Sequence, residues 1–94
     1  MKPEILLTQP MLNLTEAALD RAYRGHRLFQ ASDHAAFLAG IAPTVRGIAT
    51  GGVLGVSNAI MDALPELEII TVIGIGMDAV DLERARGRSI QVTI

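Results

Sequence analysis

The chain has 94 residues, half of them hydrophobic and 19% charged, enough for one packed domain and too apolar for wholesale disorder. A formal net charge of -2 with scattered Lys and Arg argues against nucleic acid as a partner, and the lack of cysteine excludes disulfides, thiolate metal sites and Cys nucleophiles. The longest apolar run, Ile69 to Met77, is too short to cross a bilayer, and "MKPEILLTQP" lacks a signal-peptide cleavage pattern, so a cytoplasmic protein without a membrane partner is expected.

In chain order, "EILLTQ" (Glu4 to Gln9) predicts a first strand closed by Pro10. "NLTEAALDRAYR" predicts a helix with Leu14, Ala17, Ala18 and Leu19 on one face, Asn13 and Glu16 as a capping pair, and Gly25 as its stop. "HRLFQ" predicts a short second strand. Asp33 is placed to cap a helix "HAAFLAGI", which Pro43 ends, because proline lacks the amide needed to continue. "VRGIAT" (Val45 to Thr50) predicts the third strand, turned at Gly51 and Gly52. Ser57 is placed to cap "NAIMDAL", stopped by Pro65. "LEIITVIG" (Leu67 to Gly74) predicts a fourth strand whose nearly unbroken apolar run suits burial on both faces. Asp81 is placed to cap "LERARG", and "SIQVTI" predicts a fifth strand. The arginines at 84, 86 and 88 read as a solvated helix end near the negative pole of the dipole.

Strict alternation of strand and helix implies a parallel sheet with helices on both faces. For five strands the expected architecture is a single flavodoxin-like, doubly wound α/β domain over residues 1–94, strand order 2-1-3-4-5. Ligands in such folds sit beyond the carboxyl ends of the strands. The loops there are Pro10 to Leu12, Thr50 to Val56 and Gly74 to Asp78.

"TVIGIGMDAVD" (Thr71 to Asp81) has the G-x-G-x-x-A spacing of a dinucleotide-binding turn. Such a site also needs an acidic residue about 20 positions on for the ribose, and that count reaches the last strand, which has no Asp or Glu. Asp78 and Asp81 stand at the helix entrance, where they repel phosphate. Two other readings remain. Gly74 and Gly76 can relax a tight strand-to-helix turn in which Asp78 and Asp81 bond backbone amides. Alternatively, the amides around Ile75 and Gly76 can receive a small carboxylate without any basic side chain.

"LPELEIITVIGIGMDAVDLERARGRSIQVT" (Leu64 to Thr93), "ATGGVLGVSNAIMDALP" (Ala49 to Pro65) and "KPEILLTQPM" resemble the N-terminal substrate-binding (catalytic) domain of the D-isomer-specific 2-hydroxyacid dehydrogenases, the group with the glyoxylate/hydroxypyruvate reductases. The resemblance implies NAD(P)H-dependent reduction of a 2-oxo acid. It implies that Ile75 and Gly76 offer amides to the substrate carboxylate, with Thr50, Gly51 and Gly52 lining the same cleft. The family's Rossmann domain, with its nucleotide loop, its Arg and its Glu-His pair, has no counterpart in these residues. Met77 and Ser89 depart from the family pattern.

No catalytic residue, metal site or cofactor site is therefore expected in this chain. His26 and His34 read as two surface side chains. Asp62, Glu66 and Glu68 read as solvated charges at the amino end of the sheet. Three readings of function follow. The first is an isolated substrate-binding half, inactive alone, that binds a small carboxylate weakly and lacks its Rossmann partner. The second is a truncated or engineered module that self-associates through a bare face around Met11, Leu12, Val53 and Leu54. The third is a complete dehydrogenase of which these residues are one part.

Overall fold

The computed structural model describes residues 2–74 and 76–94. Five parallel strands form one sheet in the order β2-β1-β3-β4-β5. They are β1 (Glu4–Leu7), β2 (Arg24–Arg27), β3 (Val45–Gly51), β4 (Ile69–Ile73) and β5 (Gln91–Thr93). The helices are α1 (Asn13–Ala22), α2 (His34–Ile41), α3 (Asn58–Ala63) and α4 (Leu82–Gly87), with a 3-10 turn at Leu28–Gln30. This is the doubly wound flavodoxin-like arrangement that the alternation implies.

The pleat divides the core. Leu6, Ile48, Ile70 and Val72 point to one face and pack with Leu38, Met61, Leu64 and Ala85 from α2, the α3 segment and α4. Ile5, Leu7 and Ala49 point to the other face and pack with Leu19 and Phe29. The second layer is thin because, among the described residues, α1 is its only helix, and α1 contributes no buried residue. Beyond α1 the sheet is open. Ile69 and Ile73 are 37% and 41% exposed, so β4 is buried on one face only. The apolar run predicts a strand covered on both sides, but alternate residues of a strand face opposite ways. The described helices cover only the face of Ile70 and Val72.

The caps at Asp33, Ser57 and Asp81 form as expected, each side chain accepting an amide three residues on: Ala36 at 3.1 Å, Ile60 at 3.2 Å and Arg84 at 3.0 Å. Helix α1 differs. Its cap is Leu12, without a side-chain bond, and Glu16 reaches back to accept from the Met11 amide at 2.9 Å. Glu16 also accepts from Arg27 at 3.0 Å. These bonds turn Thr15, Glu16 and Leu19 inward and leave Leu14, Ala17 and Ala18 exposed. Gly25 does not stop α1; it lies inside β2, where a Cβ would stand 3.0 Å from Leu7 Cδ1. β2 therefore begins earlier than "HRLFQ", and Leu28–Gln30 coil into the 3-10 turn.

Of the arginines at 84, 86 and 88, Arg84 and Arg88 are partnered. Arg84 forks onto Asp62, Nε to Oδ1 at 3.0 Å and Nη2 to Oδ2 at 2.6 Å. Arg88 donates to the carbonyls of Met61 and Leu64, the latter at 2.8 Å, and so satisfies the end of α3. Ser89 follows with φ 59°, a left-handed conformation, while the Ile90 amide closes on the Ala85 carbonyl at 2.8 Å. Glycine takes this conformation without the crowding a Cβ brings. Ser89→Gly is therefore expected to stabilise the domain by about 1 kcal/mol, read as a rise in urea midpoint; a fall would contradict this.

Candidate functional site

The carboxyl ends of β1, β3 and β4 lie side by side because Leu7 pairs with Ala49 and Gly51 pairs with Ile73. Three loops leave from this edge, and their sequences are glycine-rich at β3 and β4. Gly51 is buried, Gly52 half-buried and Gly74 exposed. Gly74 has φ 132° and Gly76 has φ 87°, values that L side chains rarely adopt. Among the described residues, the nearest atom to the Cβ position of Gly74 is the Gly52 amide nitrogen at 3.8 Å, and nothing lies within 4 Å of that of Gly76. The β3 and β4 turns thus approach each other at Gly52 and Gly74, and Ile75, between the last two glycines, lies outside the described residues.

Thr50 holds this edge from behind. It is fully buried on the α2–α3 face, accepts from the Thr8 hydroxyl at 2.5 Å and donates to the Gly55 carbonyl at 2.7 Å. Both roles of its hydroxyl are spent within the protein, so its part in the cleft is to fix the turn. The Gly55 amide in turn closes on the Gly51 carbonyl at 2.9 Å. Val56 bridges Val80, its amide donating to the Ala79 carbonyl at 3.2 Å. The β3 and β4 loops are therefore one pinned unit.

Gly55, with φ 60°, is the residue that lets them approach: a Cβ there would stand 2.3 Å from the Ala79 carbonyl oxygen. The sequence marks Gly55 only as one glycine of a loop. Its role depends on Ala79, a long-range neighbour that no local pattern reveals. Asp81 caps α4 and accepts from Asn58 at 3.5 Å. Asp78 is exposed, and among the described residues no hydrogen bond engages it.

The turn does not fit a dinucleotide. In a nucleotide loop the glycines lead directly into a helix whose amides hold the pyrophosphate. Here a turn and the Val80 bridge intervene before α4 starts at Leu82, and the Asp81 carboxylate occupies the helix amide.

Electrostatically the cleft has no cation of its own among the described ion pairs. Arg46 pairs with Glu68 and Arg84 with Asp62, while Arg27 pairs with Glu16 and Asp20. His26 is not a free surface residue. Its Nε2 meets Glu4 at 2.7 Å and its ring packs edge-on to Phe37. Among the described residues no group of three or more potential metal ligands comes together.

The Met11 amide and Arg27 hold the Glu16 carboxyl below its ordinary value of 4.5. A lowered folded value means the contribution is present above 4.5 and lost as pH falls through the lower value. On acidification the Met11 amide resonance is expected to move with a midpoint below 4.5. A midpoint above that value would contradict the contact.

The family model described as D-isomer specific 2-hydroxyacid dehydrogenase, catalytic domain, matches residues 5–94. A 2-ketogluconate reductase of Gluconobacter oxydans (strain 621H) is 42% identical over 93 residues, which is 99% of this chain and 29% of the relative. A 2-hydroxyacid dehydrogenase structure from Ketogulonicigenium vulgare Y25 superposes with TM-score 0.95 at 50% identity, covering 98% of this chain and 29% of that one. An NADPH-dependent glyoxylate/hydroxypyruvate reductase of Sinorhizobium meliloti, solved with NADP and malonate, gives TM-score 0.82 at 32% identity, covering all of this chain and 28% of that one. The chain thus spans under a third of the length of these relatives. With the strand order, the glycine turn and these matches together, the chain belongs to the D-isomer specific 2-hydroxyacid dehydrogenase family, as its catalytic domain.

Proposed function

We propose that these residues form the substrate-binding half of a D-2-hydroxyacid dehydrogenase acting on a small 2-oxo acid such as glyoxylate or hydroxypyruvate. The carboxylate is received by backbone amides at Gly52, Ile75 and Gly76. The observation that carries this reading is the turn after β4, where Gly74 and Gly76 both take left-handed φ values and the Gly52 amide nitrogen stands 3.8 Å from the Cβ position of Gly74. Backbone amides of a glycine turn can bind anions by hydrogen bonds alone. The relatives named as reductases of 2-oxo acids support the same chemistry.

NAD(P)H supplies the hydride when bound, but the residues described here do not fit it. Among them no histidine or carboxylic acid pair stands at the cleft to move a proton. The chain alone is therefore expected to bind weakly and not to turn over. Isothermal titration with glyoxylate should show millimolar binding, and NADH with hydroxypyruvate should show no oxidation. A flat titration contradicts the carboxylate site, and sustained NADH oxidation by pure chain contradicts the division of labour.

A second reading, self-association, is favoured by the apolar side chains bare around the mouth. Val53 is 99% exposed, Leu12 79% and Leu54 57%, whereas Met11 packs inward. Clusters of this kind promote association. Light scattering distinguishes the two: a concentration-dependent dimer supports it, and a monomer at high concentration rejects it.

A further inference from the structure

Gln9 follows β1, and its side chain lies against the carboxyl end of β3. A Cβ on Gly51 would meet Gln9 Nε2 at 2.4 Å and Oε1 at 2.6 Å. The terminal amide thus fills the volume that a side chain at position 51 would occupy, one residue from the Gly52 amide. Gln9 also lines a cavity of about 360 Å³ with Pro10, Met11, Leu12, Thr15 and Ile73. Ile73 is the register partner of Gly51 and is followed by Gly74, so the cavity adjoins the carboxylate turn. Gln9 is half-buried, and among the described residues no hydrogen bond engages its amide.

We propose that Gln9 is a specificity-determining residue whose side-chain amide hydrogen-bonds a hydroxyl on carbon 3 of a 2-oxo acid. This rests on the carboxylate reading above. With carbon 1 held at the turn amides, carbon 2 is the reacting carbonyl, and carbon 3 is the next atom toward the cavity. A primary amide offers both a donor and an acceptor, which is the complement of a hydroxyl. The surrounding Pro10, Met11, Leu12 and Ile73 suit the carbon chain and offer no charge for an ionic tail. A substrate lacking the hydroxyl leaves the half-buried amide unmet, and a site built to bond a hydroxyl discriminates on that ground. Gly51 serves the same end, since any side chain there displaces Gln9.

Hydroxypyruvate and pyruvate differ by that one hydroxyl and make the test. In NMR titrations of the 94-residue chain, the Gln9 side-chain amide resonances are expected to move with hydroxypyruvate and to stay with pyruvate. Hydroxypyruvate should bind about fivefold more tightly than pyruvate, and Gln9→Leu should abolish the preference. If the Gly52 and Gly76 amides respond to both acids but the Gln9 resonances do not move, or Gln9→Leu keeps the preference, the role of Gln9 is overturned. Larger Gln9 shifts with phenylpyruvate, which lacks the hydroxyl, would overturn it in favour of an apolar tail. Silence at Gly52 and Gly76 with every acid sinks the carboxylate reading and this one with it. Should Gln9→Leu not fold, the wild-type resonances decide alone.

Discussion

Gly55→Ala is expected to destabilise the domain by about 3 kcal/mol and to dismantle the cleft. Two effects add. A left-handed conformation costs an L side chain roughly 1–2 kcal/mol, and Gly55 has φ 60°. The new Cβ would also stand 2.3 Å from the Ala79 carbonyl oxygen and 2.4 Å from Ala79 Cβ. Those are parts of the neighbouring loop's backbone and of a side chain with no rotamer to change. Relief requires the two loops to separate, which breaks the Val56–Val80 bridge and the Val56 amide bond to Ala79. Overpacking of this kind costs about 1–3 kcal/mol. In a domain of this size the sum lowers the melting temperature by roughly 15 °C. Gly40→Ala is the control. Nothing lies within 4 Å of its Cβ position in α2, so alanine should stabilise by about 0.5–1 kcal/mol through helix propensity. If Gly55→Ala melts with the wild type, the loops are not joined as described.

Thr50→Val is the second large effect, expected near 2–3 kcal/mol. Valine keeps the volume but removes the hydroxyl that donates to the Gly55 carbonyl and accepts from Thr8. Two buried polar groups then lack partners, and an unmet buried group costs about 1–3 kcal/mol. Thr8→Val should cost less, about 1 kcal/mol, because Thr50 still donates to Gly55 once Thr8 is gone. The double variant should cost clearly less than the sum, since Thr8 cannot be stranded twice. A coupling of roughly 1 kcal/mol in urea unfolding is the expected reading; additivity within error would mean the hydroxyl chain is absent.

The features legible from sequence are those whose cause is local. Asp33, Ser57 and Asp81 cap their helices because each carboxylate or hydroxyl bonds an amide three residues away. The parallel sheet follows from strict alternation, its order is the flavodoxin-like closure expected for five strands, and the glycine pair at 74 and 76 marks its turn by composition. What escaped was set by distant partners. The bounds of edge strand β2 are one case, since "RGHR" has no apolar period to mark them. Its place comes from pairing with β1 and from the contact between Gly25 and Leu7. Arg88 looks like a helix-end cation until α3 is beside it. The bare face of β4 is invisible because both faces carry apolar or β-branched residues. Within the site, the glycines were named from their motif, whereas Gln9 and Gly55 acquire meaning only from the adjacency of β1, β3 and β4.

In the proposed site the β3 and β4 turns together receive a carboxylate on backbone amides. Residue-resolved NMR titration of the chain with glyoxylate tests it most directly. The amide resonances of Gly52 and Gly76 should shift together along one saturable curve, while those of β2 and α2 at the far end of the sheet stay in place. Glyoxylate shifts spread evenly over the surface, or none at Gly52 and Gly76 at saturating concentration, would contradict it.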